Sequence, residues 1–312
     1  MLVKEYDLIK GEKMKAILIG SVGSSKLVLE EMINSKFPIE MVFSLDEAYS
    51  KNVSGYQPIH ETAEENDIPY RKFKNINDIE NVEIIKEINP NYIFVIGLSQ
   101  LIGREIIEAA QNGVIGYHPT PLPKMRGRAA AAWQILLGIK ESKCTLFFID
   151  EGMDSGDIIG QEDYIIEDTD YIVDVGRKSK DALKSLLKKV LPQLLDNTIK
   201  PIVQNEDEAT YLLKRAPEDG LIDWNQSAKK IQTLIRAVSK PYPGAYSKYR
   251  GKHKVIFWRA DYIDNKKYIG LPGQIAFKTQ DFIDIVCGDG LLRVYELQNE
   301  DNINLTVGHK FK

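Results

Sequence analysis

The side chains best suited to chemistry fall between residues 113 and 157. An apolar run, residues 113–117, delivers His118 to a proline-rich loop, Pro119-Thr120-Pro121-Leu122-Pro123, that continues to Arg126-Gly127-Arg128. A second apolar run, residues 144–149, delivers Asp154 to the turn Asp150-Glu151-Gly152-Met153-Asp154-Ser155-Gly156-Asp157. An imidazole titrates near neutral pH, so His118 can take a proton or carry a positive charge. A carboxylate beside it would orient the ring or hold it cationic, a general base and its partner. Read by itself, Asp154 is ordinary Asp-Ser-Gly turn chemistry, and Asp150 and Asp157 are rivals for the role. Arg126 and Arg128 could grip an anion bidentately or anchor the loop on nearby carbonyls. The three prolines stiffen that loop.

Both groups follow apolar strands, and strand ends followed by loops are where open α/β sheets place their chemistry. Residues 16–19 read as a strand buried on both faces. Gly20-Ser-Val-Gly23 then turns into a helix carrying Leu27, Leu29, Met32 and Ile33. That turn lacks the third glycine and the downstream acid of a dinucleotide fingerprint, so it reads as a tight strand-to-helix connection. Further strands at 41–44 and 92–96, with helices between them, imply a parallel α/β sheet. Residues 171–197 have the apolar spacing of one long helix, which Pro192 is expected to kink or end. A polar stretch follows, and then Ser227 or Asn225 caps a helix over 228–239. Short β runs at 255–258, 274–277, 283–287 and 291–297 complete the chain, with Gly288-Asp289-Gly290 as a hairpin turn.

Composition narrows the function classes. With 312 residues, 43% of them hydrophobic, the chain can bury a sizeable core and fill two domains. No apolar run reaches membrane-spanning length, and residues 1–13 lack a signal peptide's apolar stretch. Cys144 and Cys287 sit in apolar runs and read as buried free thiols, which fits a reducing, cytoplasmic compartment. Two cysteines and four scattered histidines give no zinc spacing, so no metal is expected. A net charge of −4 argues against a dedicated nucleic-acid binder. Residues 211–260 nevertheless hold eleven Lys or Arg against three Asp or Glu. That segment suits an anionic ligand such as a diphosphate, or is a solvated basic face.

Taken together, the two motifs resemble those of the formyltransferases that use 10-formyltetrahydrofolate. The family pattern is Asn-x-His-x-Ser-Leu-Leu-Pro-x-x-Arg-Gly, followed later by Asp-x-Gly-(Asp/Gln)-Ile. His118 stands at the family His, Thr120 at the Ser, and Leu122-Pro123 and Arg126-Gly127 match; Asp154 stands at the family Asp. The likeness runs from Met14 to nearly the end of the chain. One position departs: the family's catalytic Asn, two residues before the His, is Gly116 here. The resemblance implies an open Rossmann-like, mostly parallel sheet with helices on both faces, plus a small β-rich, OB-like C-terminal domain. The corresponding division is an extension at 1–13, a catalytic domain at 14–203, a linker at 204–222 and a β-rich domain at 223–312. It also implies 10-formyltetrahydrofolate as co-substrate, no metal, and catalysis by His118 and Asp154. The folate would lie between Gly97, Leu98, Ser99, Leu101 and Ile102 on one side and Phe148, Asp150 and Gly152 on the other. Leu98, Leu101 and Ile102 could equally be core residues.

Formyl transfer is acyl transfer: an amine attacks the formyl carbon, an oxyanion forms, and a proton leaves the nitrogen. Neutral His118 would take that proton; cationic His118 would stabilise the oxyanion. Relatives formylate initiator methionyl-tRNA, glycinamide ribonucleotide or nucleotide-linked amino sugars. The tRNA enzymes carry a basic insertion where residues 45–61 offer only Lys51, and the glycinamide enzymes lack the C-terminal domain. The stretches 215–224 and 235–246 look like those of sugar-nucleotide N-formyltransferases. That likeness puts Arg215, Arg236 and Tyr242, with Thr120, Arg126 and Arg128, around the acceptor. The expected partners are therefore two small molecules, folate and a nucleotide sugar, with no nucleic acid and no membrane, and with a homodimer left open. The alternatives are a methionyl-tRNA formyltransferase, or a formyl-folate hydrolase or non-transferring relative that Gly116 would explain.

Overall fold

The apolar runs become strands of one sheet: β1 (Ala16–Gly20), β2 (Ile39–Leu45), β3 (Tyr70–Phe73), β4 (Tyr92–Ile96) and β5 (Gly113–His118). This is seen in a computed structural model that describes residues 14–264, 267–299 and 302–312; the extension expected at 1–13 lies outside the described residues. β1 and β4 are buried at all five positions, as unbroken apolar sequence requires. β1 pairs in parallel with β2 and with β4, β2 with β3, and β4 with β5. The helices α1 (Gly23–Asn34), α2 (Ile59–Glu64), α3 (Ile79–Ile88) and α4 (Arg104–Ala109) fill the connections.

The chain then forms β6 (Arg126–Gly127), α5 (Ala130–Leu136), β7 (Glu141–Phe148), β8 (Ile158–Ile165) and α6 (Ile172–Leu195). The strand order of the sheet is β3-β2-β1-β4-β5-β7-β8. The chain divides into two compact units. The first holds the residues up to Tyr117 with Leu146–Gly160 and Lys184–Gln204; the second holds His118–Thr145, Gln161–Leu183 and Asn205–Lys312. In the first unit Ile17, Ile19, Phe43, Ile85, Ile93 and Val114 form the centre of one apolar cluster. Its strand order turns back between β1 and β4, and at such a switch point the loops leaving adjacent strands diverge and open a crevice.

The second unit adds β9 (Tyr211–Leu212), α7 (Ala228–Val238), β10 (Ala245–Tyr249), β11 (His253–Ile263), β12 (Ile275–Lys278), β13 (Ile283–Val286) and β14 (Leu291–Asn299). Strands β10 to β14 make an antiparallel sheet in the order β10-β11-β14-β13-β12. Residues 308–312 bridge its two edges: Lys310 pairs with Gln274 beside β12, and Phe311 pairs with Tyr249 of β10. The sheet therefore closes on itself, which leaves few free edge groups and accounts for the expected OB-like character. Trp224, Phe257 and Phe311 pack in its centre with ring centroids 5.3–5.6 Å apart. The Ser227 hydroxyl accepts from the Lys230 amide at 3.2 Å and so caps α7, one of the two caps expected.

Two local details add to the sequence reading. The long helix does not end at Pro192 but continues one turn to Leu195. The polar stretch 204–222 is not a bare linker. Glu206–Glu208 and Pro217–Gly220 form 3-10 turns, and β9 pairs in parallel with β6.

Candidate active site

In the first unit the loop after β4 begins at Gly97, at the sheet's switch point. Gly97 has φ +60°, and a Cβ there would overlap the Val22 side chain. The Ser25 hydroxyl donates to the Ile96 carbonyl at 2.5 Å and accepts the Ser21 and Val22 amides; the Ser21 hydroxyl donates to the Gly97 carbonyl at 2.8 Å. The turn at Gly20 is thus a serine-knit junction rather than a phosphate cradle, with its polar groups used between the two loops. Beyond Gly97, Leu98 and Ile102 pack on the apolar cluster. Ser99 is exposed, and Leu101 is 89% exposed although apolar. The core reading therefore fits Leu98 and Ile102 but not Leu101.

The turn that carries Asp154 is built by close approach. A Cβ at Gly156 would overlap the Phe148 carbonyl oxygen, and Phe148 lies across Gly113. Asp150 Oδ1 accepts from the Gly152 amide at 2.9 Å and from the Ser155 hydroxyl at 2.8 Å, so Asp150 shapes the turn. Gly152 lies within that bend. Asp154 itself has φ +51°, the left-handed region that Asp tolerates better than most side chains. One amide holds it there: Gln204 Nε2 donates to the carbonyls of Asp154 and Gly156 at 2.8 and 2.6 Å. Gln204 is 50 residues away in sequence, and no sequence signal marked it.

Gly116 is filled from the side. A Cβ there would lie 2.9 Å from the Phe147 ring and 3.0 Å from Ile149, and its φ is outside the left-handed region. The glycine thus makes room for Phe147 rather than permitting an unusual backbone.

In the second unit His118 is buried, and its Nε2 lies 2.8 Å from the Met125 carbonyl oxygen. A carbonyl only accepts, so Nε2 carries the proton at this contact, and a neutral ring keeps its lone pair on Nδ1. The proline-rich loop is gripped at nearly every carbonyl. Tyr164 Oη and Gln134 Nε2 each donate to Pro119 O at 2.8 Å, Thr145 Oγ1 donates to Thr120 O at 2.6 Å, and Gln161 Nε2 donates to Leu122 O at 2.9 Å. Ser142 donates to Gln134 Oε1 behind them.

Three of the residues expected around the acceptor have internal partners. Thr120 is fully buried and its hydroxyl donates to the Lys124 and Met125 carbonyls. Arg126 is 1% exposed and forms a two-pronged pair with Glu206 at 2.9 and 2.6 Å, with Tyr211 Oη at 3.1 Å. Pairing raises the Arg126 pKa and lowers that of Glu206. Arg236 is also buried: its Nη1 donates to the Asp170 carbonyl at 2.7 Å and its Nε to Gln232, and burial lowers its pKa. Such placement does not suit a diphosphate ligand. Arg128 is exposed. Arg215 lies 5.1 Å from the Trp133 ring centroid and donates to the Asp219 carbonyl at 2.9 Å. Tyr242 is half-buried, and burial raises its pKa. Among the described residues no group of three or more His, Cys, Asp or Glu is arranged to hold a metal, and no helix is long and apolar enough to cross a membrane. Burial pushes both thiols, Cys144 and Cys287, up to about 12.

Residues 23–191 match the formyl transferase family and residues 214–310 match the formyl transferase C-terminal domain. The chain belongs to the formyl transferase family. Enzymes of this family draw the formyl group from 10-formyltetrahydrofolate, and the chain is a folate-dependent formyl-transferring enzyme. A methionyl-tRNA formyltransferase of Rickettsia felis is 31% identical over 296 residues, covering 94% of this chain and 95% of the relative. A solved N-formyltransferase from Helicobacter canadensis, in complex with folinic acid and dTDP-3-aminofucose, shares the fold. Its TM-score is 0.66 at 19% identity, over 92% of this chain and all of that one. HypX from Aquifex aeolicus, in complex with tetrahydrofolic acid, superposes with a TM-score of 0.68 at 18% identity. The match covers 92% of this chain but only 44% of HypX.

Proposed function

We propose that the chain transfers the formyl group of 10-formyltetrahydrofolate to the primary amine of a nucleotide-linked amino sugar, with His118 and Asp154 as its catalytic pair. The His118–Met125 contact supports the chemistry, because it fixes which ring nitrogen faces the reaction. With Nε2–H given to a carbonyl, Nδ1 takes the proton from the attacking amine; in the imidazolium, Nδ1–H stabilises the oxyanion, and the proton then passes to the folate nitrogen as its bond to the formyl carbon breaks and tetrahydrofolate leaves. Asp154 supplies the negative charge that stabilises the imidazolium. The folate lies along the loop 97–102, with Phe148, Asp150 and Gly152 on its other side. Arg128, Arg215 and Tyr242 serve the acceptor, a guanidinium for phosphate and an aromatic ring for stacking.

The observation that carries this acceptor over tRNA is the connection between β2 and α2. Residues 46–58 contain one base, Lys51, against Asp46 and Glu47, whereas phosphate neutralisation dominates affinity for nucleic acid. The Rickettsia felis relative supports the second reading, formylation of methionyl-tRNA. Rates of formyl transfer to a panel of nucleotide-linked amino sugars and to initiator methionyl-tRNA decide between them. Transfer to the tRNA alone would overturn the sugar reading. Formate release without any acceptor, and no transfer to either class, would instead mark a hydrolase. Within the active pair, His118→Ala should lower kcat on the order of 10²–10⁴-fold with little change in folate KM.

A further inference from the structure

The loop that begins at Gly97 is held not only by its own residues but by a side chain from a different connection. Asn77, in the link between β3 and α3, donates from Nδ2 to the Leu101 carbonyl at 2.8 Å and accepts from the Gly103 amide on Oδ1 at 2.7 Å. One carboxamide thus spans both sides of Ile102. The opposing amide does the reciprocal thing: Gln100 Oε1 accepts from the Ile76 amide at 2.9 Å, and its Nε2 donates to the Lys74 carbonyl at 2.7 Å. Gly103 is what lets Asn77 come so near, since a Cβ there would lie 2.9 Å from Asn77 Oδ1. Asn77 is in turn fixed by Asn75, whose Oδ1 accepts the Asn77 amide at 3.2 Å, and Ile76 between them is fully buried. Between the two clamps the chain points Leu98 and Ile102 into the apolar cluster and leaves Leu101 89% exposed.

We propose that Asn77 is a positioning residue for the folate: by clamping residues 101 and 103 it fixes the backbone that receives the co-substrate and the outward set of Leu101. This rests on the reading of 97–102 as the folate loop. The clamp acts by pre-organisation, since a loop already ordered loses less freedom on binding. The acceptor side of the reaction is served by other residues and should not feel it. Asn77 is itself exposed, so its removal leaves no buried group unpaired and the sheet should remain folded.

The test uses the full-length protein, Asn77→Ala and Asn77→Asp. Hydrogen exchange of the peptide covering 98–103 reads the clamp without ligand, and calorimetry with 5-formyltetrahydrofolate reads affinity. Asn77→Ala should speed exchange of that peptide and weaken folate binding roughly five- to tenfold, the effect of two modest hydrogen bonds. Acceptor KM should stay unchanged. Asn77→Asp keeps an acceptor for the Gly103 amide but sets a carboxylate oxygen against the Leu101 carbonyl, so it should weaken folate binding at least as much as Asn77→Ala. Unchanged exchange would overturn the clamp. Faster exchange with unchanged folate affinity would overturn its role in binding. A wild-type protein that binds no folate analogue would sink the folate reading of the loop, and the proposal with it.

Discussion

The candidate site loops of the two units, each taken by itself, are held in shape by opposite means. In the parallel-sheet unit, the loops at 97 and 148–156 rest on absent side chains. Gly97, Gly113, Gly116 and Gly156 each bring another residue where a Cβ would stand. In the second unit, the loop after His118 rests on side chains that are present: Tyr164, Gln134, Thr145 and Gln161 each take a loop carbonyl. The first kind of support is least forgiving at Gly156, where the neighbour is the Phe148 carbonyl and backbone cannot move out of the way of an added carbon; at Gly97, Gly113 and Gly116 the neighbour is a side chain. The second fails in parts, because each carbonyl held by one donor leaves its neighbours held by others.

The sharpest way to break this contrast is a pair of one-group changes. Gly156→Ala places a methyl group on the Phe148 carbonyl oxygen, so the turn carrying Asp154 must open. Urea unfolding should show a loss of about 3 kcal/mol or more, at the severe end of overpacking. Tyr164→Phe removes only a hydroxyl, and Gln134 still serves the Pro119 carbonyl; about 1 kcal/mol should be lost. Equal losses for the two variants would refute the distinction.

A smaller effect is expected at Gly116, where the neighbour is a ring rather than backbone. Gly116→Asn puts the family's usual side chain back on the strand, but against Phe147 and Ile149. The single variant should lose about 1–3 kcal/mol from crowding, and its kcat should fall, not rise. Phe147 lies against Gly116, so the position is not an open space. The double variant Gly116→Asn with Phe147→Leu should regain stability and, if the amide then reaches the oxyanion, raise kcat above the single variant. A Gly116→Asn protein as stable as wild type would show that Phe147 yields freely.

What was legible in the sequence follows the same division. Strands β1, β2 and β4 declared themselves as unbroken apolar runs, and the loops were marked by glycine and proline. β3 did not: Tyr70-Arg-Lys-Phe73 has one fully buried side chain, and its place at the sheet edge, not its apolar content, makes it a strand. His118 and Asp154 were marked by the resemblance to the family pattern, since Asp154 read by itself is ordinary turn chemistry. Their supports were not marked, because Gln134, Gln161, Tyr164 and Gln204 are polar residues inside otherwise ordinary elements. Each is chosen by a carbonyl distant in sequence, and no local pattern carries that information. For Arg126 and Arg236 residue type alone could not choose between a ligand and an internal partner: arginine suggests phosphate, but a guanidinium fork serves internal carbonyls and carboxylates equally well, and both side chains have such partners.

The mildest effect should come from a support of the loop after His118 that depends on charge, the pair of Arg126 and Glu206. Arg126 is buried and its partner Glu206 lies mostly in solvent, with side-chain exposures of 1% and 64%. The hydrogen bonds from Arg126 hold the Glu206 carboxyl below its ordinary value of 4.5, while the guanidinium stays charged throughout. A carboxylate whose folded pKa is lowered adds stability that is complete above its unfolded pKa and disappears as pH falls through the folded value. Glu206→Gln removes that charge at every pH. The melting temperature of the variant should therefore lie slightly below wild type at neutral pH, by an amount that is constant down to about pH 5. Below the ordinary carboxylate value the gap should close, because wild-type Glu206 is then becoming neutral too. All other carboxylates titrate alike in both proteins and cancel in the difference. A gap that stays constant to about pH 3, or widens toward acid, would mean that the pair does not tie the loop to the residues around Tyr211 through charge. The loop after His118 would then rest on neutral hydrogen bonds alone.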